Sequence, residues 1–179
     1  TVKEIPASSQ EAVTGEDGIA QVDFIPPTGG VFKALVTVQD SKGNKHQAST
    51  YLWVTSNNQI SWRQTNDRAF NLIADKDSYS PGETAEILIA QPFTGDVYAL
   101  ITYERGHIYK SEVVQLNGNG TIYKLPITDE MAPASYVSVT VISAAERGCA
   151  PDFKMGIARI NVDTTLKTLD VSVSADKEA

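Results

Sequence analysis

Apolar and polar residues alternate with a period of two along most of this chain, the mark of strands buried on one face only. In the first third the pattern covers residues 19–25 (Ile19-Ala20-Gln21-Val22-Asp23-Phe24-Ile25), 31–38 and 48–54. Turn-forming clusters separate these runs: Glu16-Asp17-Gly18, Pro26-Pro27-Thr28-Gly29-Gly30 and Asp40-Ser41-Lys42-Gly43-Asn44. Short strands joined by such turns predict an antiparallel β-sandwich, since parallel pairing would need helical crossovers. No amphipathic stretch of more than two helical turns competes with this reading.

A longer series of strands follows, over 70–74, 84–90, 97–103, 108–116, 120–127, 136–142, 155–162 and 169–173. Seven suffice for a complete sandwich. Arg105-Gly106-His107 and Asn117-Gly118-Asn119-Gly120 read as hairpin turns, and Pro81-Gly82 fits a type II turn. The longest irregular stretch is 143–154. Between the two series, residues 55–66 turn polar (Ser56-Asn57-Asn58-Gln59) and form the linker. The expected organisation is a partial or small β-domain over 1–58, a complete sandwich over 59–174, and the opening of a further module over 175–179. That opening rests on an internal echo. Ala74-Asp75-Lys76-Asp77 returns about a hundred residues later, one β-domain's length, as Ala175-Asp176-Lys177-Glu178.

Composition narrows the function classes. With 41% hydrophobic and 21% charged residues the chain is globular. Its formal net charge of −7, without a Lys/Arg stripe, argues against nucleic acid as a partner. No apolar run is long enough to span a bilayer as a helix. Thr1-Val2-Lys3-Glu4-Ile5-Pro6 does not read as a secretory signal, which says nothing about export for a piece of a longer protein. The single cysteine, Cys149, leaves the redox compartment open.

From Tyr79-Ser80-Pro81-Gly82-Glu83-Thr84 the chain resembles the alpha-2-macroglobulin family, specifically its long bacterial members. Their immunoglobulin- or fibronectin-III-like macroglobulin domains open with Asp-Lys-x-x-Tyr-x-Pro-Gly-Glu, met here as Asp75 to Glu83. Ala99 to Arg105, Leu125 to Pro133 and Tyr136-Val137-Ser138-Val139 resemble later stretches of such a module. Ala175-Asp176-Lys177-Glu178 resembles the start of the next. Residues 17–24 and 40–44 resemble the end of a preceding one. The resemblance implies a parent protein that traps proteases when an exposed bait segment is cleaved, often with thioester capture. It also implies a periplasmic, envelope or extracellular location. Two features depart from the family: the thioester motif Cys-Gly-Glu-Gln is absent, Cys149 being followed by Ala150-Pro151, and no long cleavable insert stands out. By resemblance the bait lies in or beyond the module opening at Asp176, so this chain is expected to be scaffold.

Candidate chemistry is sparse. Cys149 lies near Arg147, which would favour a thiolate, but a nucleophilic cysteine needs a histidine base and His46 and His107 are not recognisably placed. Asp75, Asp77 and Glu83 match no calcium-loop spacing and read as turn carboxylates. His107 reads as an exposed hairpin-tip residue. Asn119-Gly120-Thr121 fits a glycosylation acceptor but equally a turn. Trp53 precedes the linker and Trp62 lies within it, and Trp62 is expected to pack at the module junction. No catalytic, cofactor-binding or metal-ligating residue is expected, and the chain reads as non-enzymatic. The expected partners are neighbouring domains of the parent chain and, through that parent, target proteases. The rival reading is an adhesin stalk or carbohydrate-binding module, with Tyr98, Tyr103, Tyr109 and Tyr123 as the glycan-binding face.

Overall fold

The computed structural model describes residues 5–56, 60, 62, 67–94, 97–143, 151–174 and 176. The chain divides into two compact units, Thr1–Arg63 and Gln64–Ala179. The first holds one antiparallel ribbon of β1 (Gly30–Gln39) and β2 (Lys45–Val54), paired from Gly30↔Val54 to Gln39↔Lys45. Asp40 closes the ribbon's turn by accepting hydrogen bonds from the Lys42 and Asn44 backbone N–H groups. Alternation sorts the ribbon's faces, with Phe32, Ala34 and Leu52 on one and Val31 and Trp53 on the other. Phe24 meets Phe32 edge-on, 5.7 Å between centroids. Trp62 is buried.

Residues 19–25 form no strand, and Ile19, Val22 and Ile25 are exposed. Alternation describes a sequence able to join a ladder, but a strand exists only where a neighbour pairs with it.

The described residues of the second unit form a sandwich of seven strands. β3 (Leu72–Ala74), β4 (Thr84–Ile89) and β7 (Thr121–Pro126) form one sheet in the order β3-β4-β7. β5 (Val97–Glu104), β6 (Ile108–Leu116), β8 (Ala134–Ser143) and β9 (Asp152–Asn161) form the other in the order β6-β5-β8-β9. All the strand pairs are antiparallel. The only helical elements among the described residues are two three-residue 3₁₀ turns, Asp129–Met131 and Thr165–Lys167.

Period two builds the core. Ala85, Ile87 and Ile89 of β4 face Val97, Ala99 and Ile101 of β5 and Val137, Val139 and Val141 of β8, with Ile160 from β9. Their burial supplies the main stabilisation, about 1.5–3 kcal/mol for each large aliphatic side chain.

Two sequence expectations change here. Asn117-Gly118-Asn119-Gly120 does not join a hairpin within one sheet. It carries the chain from β6 in one sheet to β7 in the other, and β7 pairs with β4. Gly118 takes φ 83° there, and its carbonyl accepts a hydrogen bond from the buried Gln91 side chain (3.2 Å). Asn119 is itself 4% exposed, so the acceptor reading of Asn119-Gly120-Thr121 lacks an accessible side chain. Residues 169–173 are not a strand; Leu169, Val171 and Val173 are exposed. The Arg105-Gly106-His107 turn does join a hairpin, β5 to β6, with Gly106 at φ 73° and a register shift at Tyr103/Glu104.

Candidate functional site

The phrase from Asp75 to Glu86 is the most connected polar feature among the described residues of the second unit. β3 ends at Ala74, and Asp75 donates its N–H to the Glu86 carbonyl (3.0 Å). Its carboxylate Oδ1 accepts from the Glu86 N–H and from the Tyr79 hydroxyl, both at 2.7 Å. The Tyr79 oxygen in turn accepts from the Lys76 N–H (3.1 Å). Ser80-Pro81-Gly82-Glu83 is a tight turn in which Gly82 takes φ 92° and Glu83 N–H donates to Ser80 O. The Glu83 carboxylate bridges it, accepting from Ser80 N–H and Lys76 Nζ, each at 2.9 Å.

Long-range bonds tie this clamp to the ends of two further strands. Gly82 N–H donates to Ile127 O and Ile127 N–H to Glu83 O (both 2.9 Å), securing the chain leaving β7. Tyr79 N–H donates to Asn161 O (3.0 Å), and Asp163 N–H to Tyr79 O (2.8 Å), securing the end of β9. The Asn161 side-chain amide donates to the Asp77 carbonyl (2.9 Å). Tyr79 is only 2% exposed, so its ring fills the core while its hydroxyl holds the turn.

Burial pushes the Asp75 carboxyl up, but the bonds from Tyr79 and Glu86 together hold it below its ordinary 3.8. Lys76 and the Ser80 N–H hold Glu83 below its ordinary 4.5. Burial, then the Asp75 contact, pushes the Tyr79 phenol up to about 12. A carboxyl held low in the folded state stabilises it above the ordinary pKa and ceases to do so as pH falls through the folded value. The urea midpoint is therefore expected to fall as pH drops below about 4. At the alkaline end the Tyr79 contribution is complete below pH 10 and is lost as pH rises towards 12. A midpoint flat from pH 5 to pH 2 would show that the clamp carboxylates contribute nothing.

Two of the three side chains weighed for calcium are engaged in the clamp: Asp75 through Oδ1 and Glu83 through both oxygens, while Asp77 contributes only its backbone carbonyl. Among the described residues no three His, Cys, Asp or Glu side chains group as a metal set. His46 sits opposite Val38 near the tip of the β1–β2 ribbon, and His107 lies over the Tyr109 ring (4.1 Å between centroids) at the β5–β6 turn. Cys149 and Arg147 lie outside the described residues, as do Ala175 and the chain beyond Asp176.

The four tyrosines of the glycan reading do not form one face, although Tyr103 and Tyr109 stack at 5.1 Å between centroids. Tyr98 points outward from β5, whereas Tyr103, on the same strand, points inward. Tyr123 lies on β7 in the other sheet and donates its hydroxyl to Glu112 of β6, closing one side of the sandwich. Burial, then the Glu112 carboxylate, pushes its phenol far up. The crevice beside it, lined by Ile101, Tyr103, Lys110, Glu112, Tyr123 and Leu125, has no room for even a water-sized molecule, far short of a usual ligand pocket of about 300–1,000 Å³. The Glu112–Tyr123 bond had no local sequence signal, because it joins strands that never pair.

The second unit is therefore an immunoglobulin-like β-sandwich stapled at one end by the turn phrase Asp75 to Glu83. Residues 70–179 match the alpha-2-macroglobulin bait region domain. The chain belongs to the alpha-2-macroglobulin family. It is 24% identical over 135 residues to an alpha-2-macroglobulin homolog of Nostoc sp., covering 75% of this chain and 7% of that protein. It is 35% identical over 72 residues to an alpha-2-macroglobulin of Rickettsia conorii, covering 40% of this chain and 4% of that protein. The chain thus spans a small fraction of the length of these bacterial relatives. The matched domain, which bears the bait region's name, begins at residue 70, with the sandwich.

Proposed function

We propose that the chain is a non-enzymatic structural module of an alpha-2-macroglobulin-like inhibitor of endopeptidases, and that its sandwich is the fixed mount for bait-region polypeptide. The observation that carries this reading is the coincidence of the bait-region match, residues 70–179, with a sandwich whose exit is tied down. After β9 the chain is held by Val162 N–H on Pro133 O (2.9 Å), Asp163 N–H on Tyr79 O and Lys167 Nζ on Asp129 O (2.7 Å). Beyond Lys167, residues 168–174 leave without regular structure, with Leu169, Val171 and Val173 exposed. The mount ends where an accessible peptide begins. A periplasmic, envelope or extracellular setting, with neighbouring domains and attacking proteases as partners, belongs to the same proposal. The carbohydrate-binding alternative has lost the tyrosine face it relied on.

The test compares two polypeptides. The longer protein is expected to protect a protein substrate from an endopeptidase, and the same protein lacking residues 70–174 is not. The isolated chain is expected to give no protection at any molar excess. Limited elastase digestion of the chain is expected to cut within 168–174 before it cuts β3 to β9. Inhibition by the isolated chain, or undiminished inhibition after the deletion, contradicts the reading.

A further inference from the structure

Most of the outer face of the four-stranded sheet is uncharged where solvent should have selected charge; the row at one end, Glu104-Tyr136-Arg159, carries one charge of each sign. Three successive rows cross β6, β5, β8 and β9: Gln115-Tyr98-Ile142-Phe153, Val113-Leu100-Thr140-Met155 and Ser111-Thr102-Ser138-Ile157. None of these positions is charged. Tyr98, Leu100, Ile142, Phe153, Met155 and Ile157 on it are 41–55% exposed. The opposite sheet has the usual arrangement, with Glu86 paired to Lys124 across β4 and β7 at 2.9 Å.

Together with Val113 and Tyr136, these side chains offer on the order of 800 Å², above the roughly 300–600 Å² of a monomer's largest apolar patch and near one partner's share of a standard interface. Charge depletion with aromatic and Met enrichment is the composition of an interface centre. Arginines border it on the β9 side: Arg68 stacks over Phe153 (4.8 Å) and Arg159 stands opposite Tyr136.

We propose that this face is an interdomain interface, covered in the longer protein by an apolar sheet face of another domain of the same polypeptide, with an acidic rim against Arg68 and Arg159. Two considerations select this occupant over a second copy. The chain spans 7% of the length of the Nostoc relative, so other domains of such a polypeptide are abundant. Tethering raises their effective concentration to about the millimolar range without new contacts. The proposal concerns domain packing and stands whether or not the longer protein inhibits proteases.

Two methionines provide the measurement. Met155 lies on the face, and Met131, 3% exposed, lies in the core as an internal control. In the isolated chain hydrogen peroxide is expected to oxidise Met155 at least about tenfold faster than Met131. In the longer protein Met155 oxidation is expected to slow at least about tenfold. Leu100→Lys, at an exposed position, should leave the melting temperature of the isolated chain unchanged and restore fast Met155 oxidation in the longer protein. Equal Met155 rates in the two polypeptides overturn the proposal, as does protection that survives Leu100→Lys. Protection lost on dilution together with a halving of sedimentation mass assigns the face to a second copy and also overturns it.

Discussion

Tyr79→Ala is expected to destabilise the sandwich by about 3–5 kcal/mol, as removal of a buried aromatic ring does. A single domain of ordinary stability has about 5–15 kcal/mol in total, so the melting temperature should fall by at least about 12 °C. The loss has two separable parts. The ring fills the core beside β4 and β9, and the hydroxyl joins Asp75 to the Lys76 N–H. Tyr79→Phe keeps the ring and should cost about 1–3 kcal/mol, because it removes a bond to a carboxylate and leaves the Lys76 N–H without this acceptor. The Phe variant also carries a pH signature. Without the Tyr79 bond the Asp75 carboxyl rises towards its ordinary 3.8, so wild type and variant converge in stability as pH falls below that value. Chemical denaturation at pH 7 and pH 2.5 checks both statements. A Phe variant as stable as wild type at pH 7 would reduce Tyr79 to a space-filler.

Gly156→Val is the second large effect. Gly156 faces inward from β9, and a Cβ placed there would lie 2.9 Å from the Phe70 carbonyl oxygen and 2.8 Å from Leu72 Cγ. The lead-in to β3 is held against β9 by Phe70 N–H on Met155 O (3.1 Å) and Met155 N–H on Arg68 O (2.8 Å), so the obstructing backbone is fixed on both sides. Overpacking typically costs about 1–3 kcal/mol, and a backbone obstacle places this variant at or above the upper end. Ala should be destabilising too, by less. Thermal unfolding of both variants tests this; an unchanged melting temperature for Gly156→Val would mean that β3 moves away from β9 without cost.

Much of the architecture was readable from alternation alone, since a strand with one buried face carries its orientation in its sequence. Val97, Ala99 and Ile101 turn inward and Tyr98 and Leu100 outward, as a period of two requires. Pairing was not readable. Residues 19–25 and 169–173 have the same alternation and form no strand, because a ladder needs a neighbour that no local pattern supplies. The Asn117-Gly118 turn looked like a hairpin for the same reason: its residues specify a reversal, not which sheet the chain enters next. In the Asp75–Glu83 phrase the four-residue spacing to Tyr79 was visible, but its meaning depends on the Ile127 and Asn161 carbonyls, contributed from distant strands. The mostly uncharged outer face was present in the sequence as apolar residues at outward positions. Only the sheet order assembles them into one surface.

The most direct measurement of the account is endopeptidase inhibition by the longer protein across temperature, for wild type and Tyr79→Ala, beside the unfolding curve of each isolated chain. If the sandwich acts as a mount, inhibition disappears at the temperature where the module melts, and that temperature moves down with the substitution. Inhibition that persists unchanged above the module's melting point would contradict it.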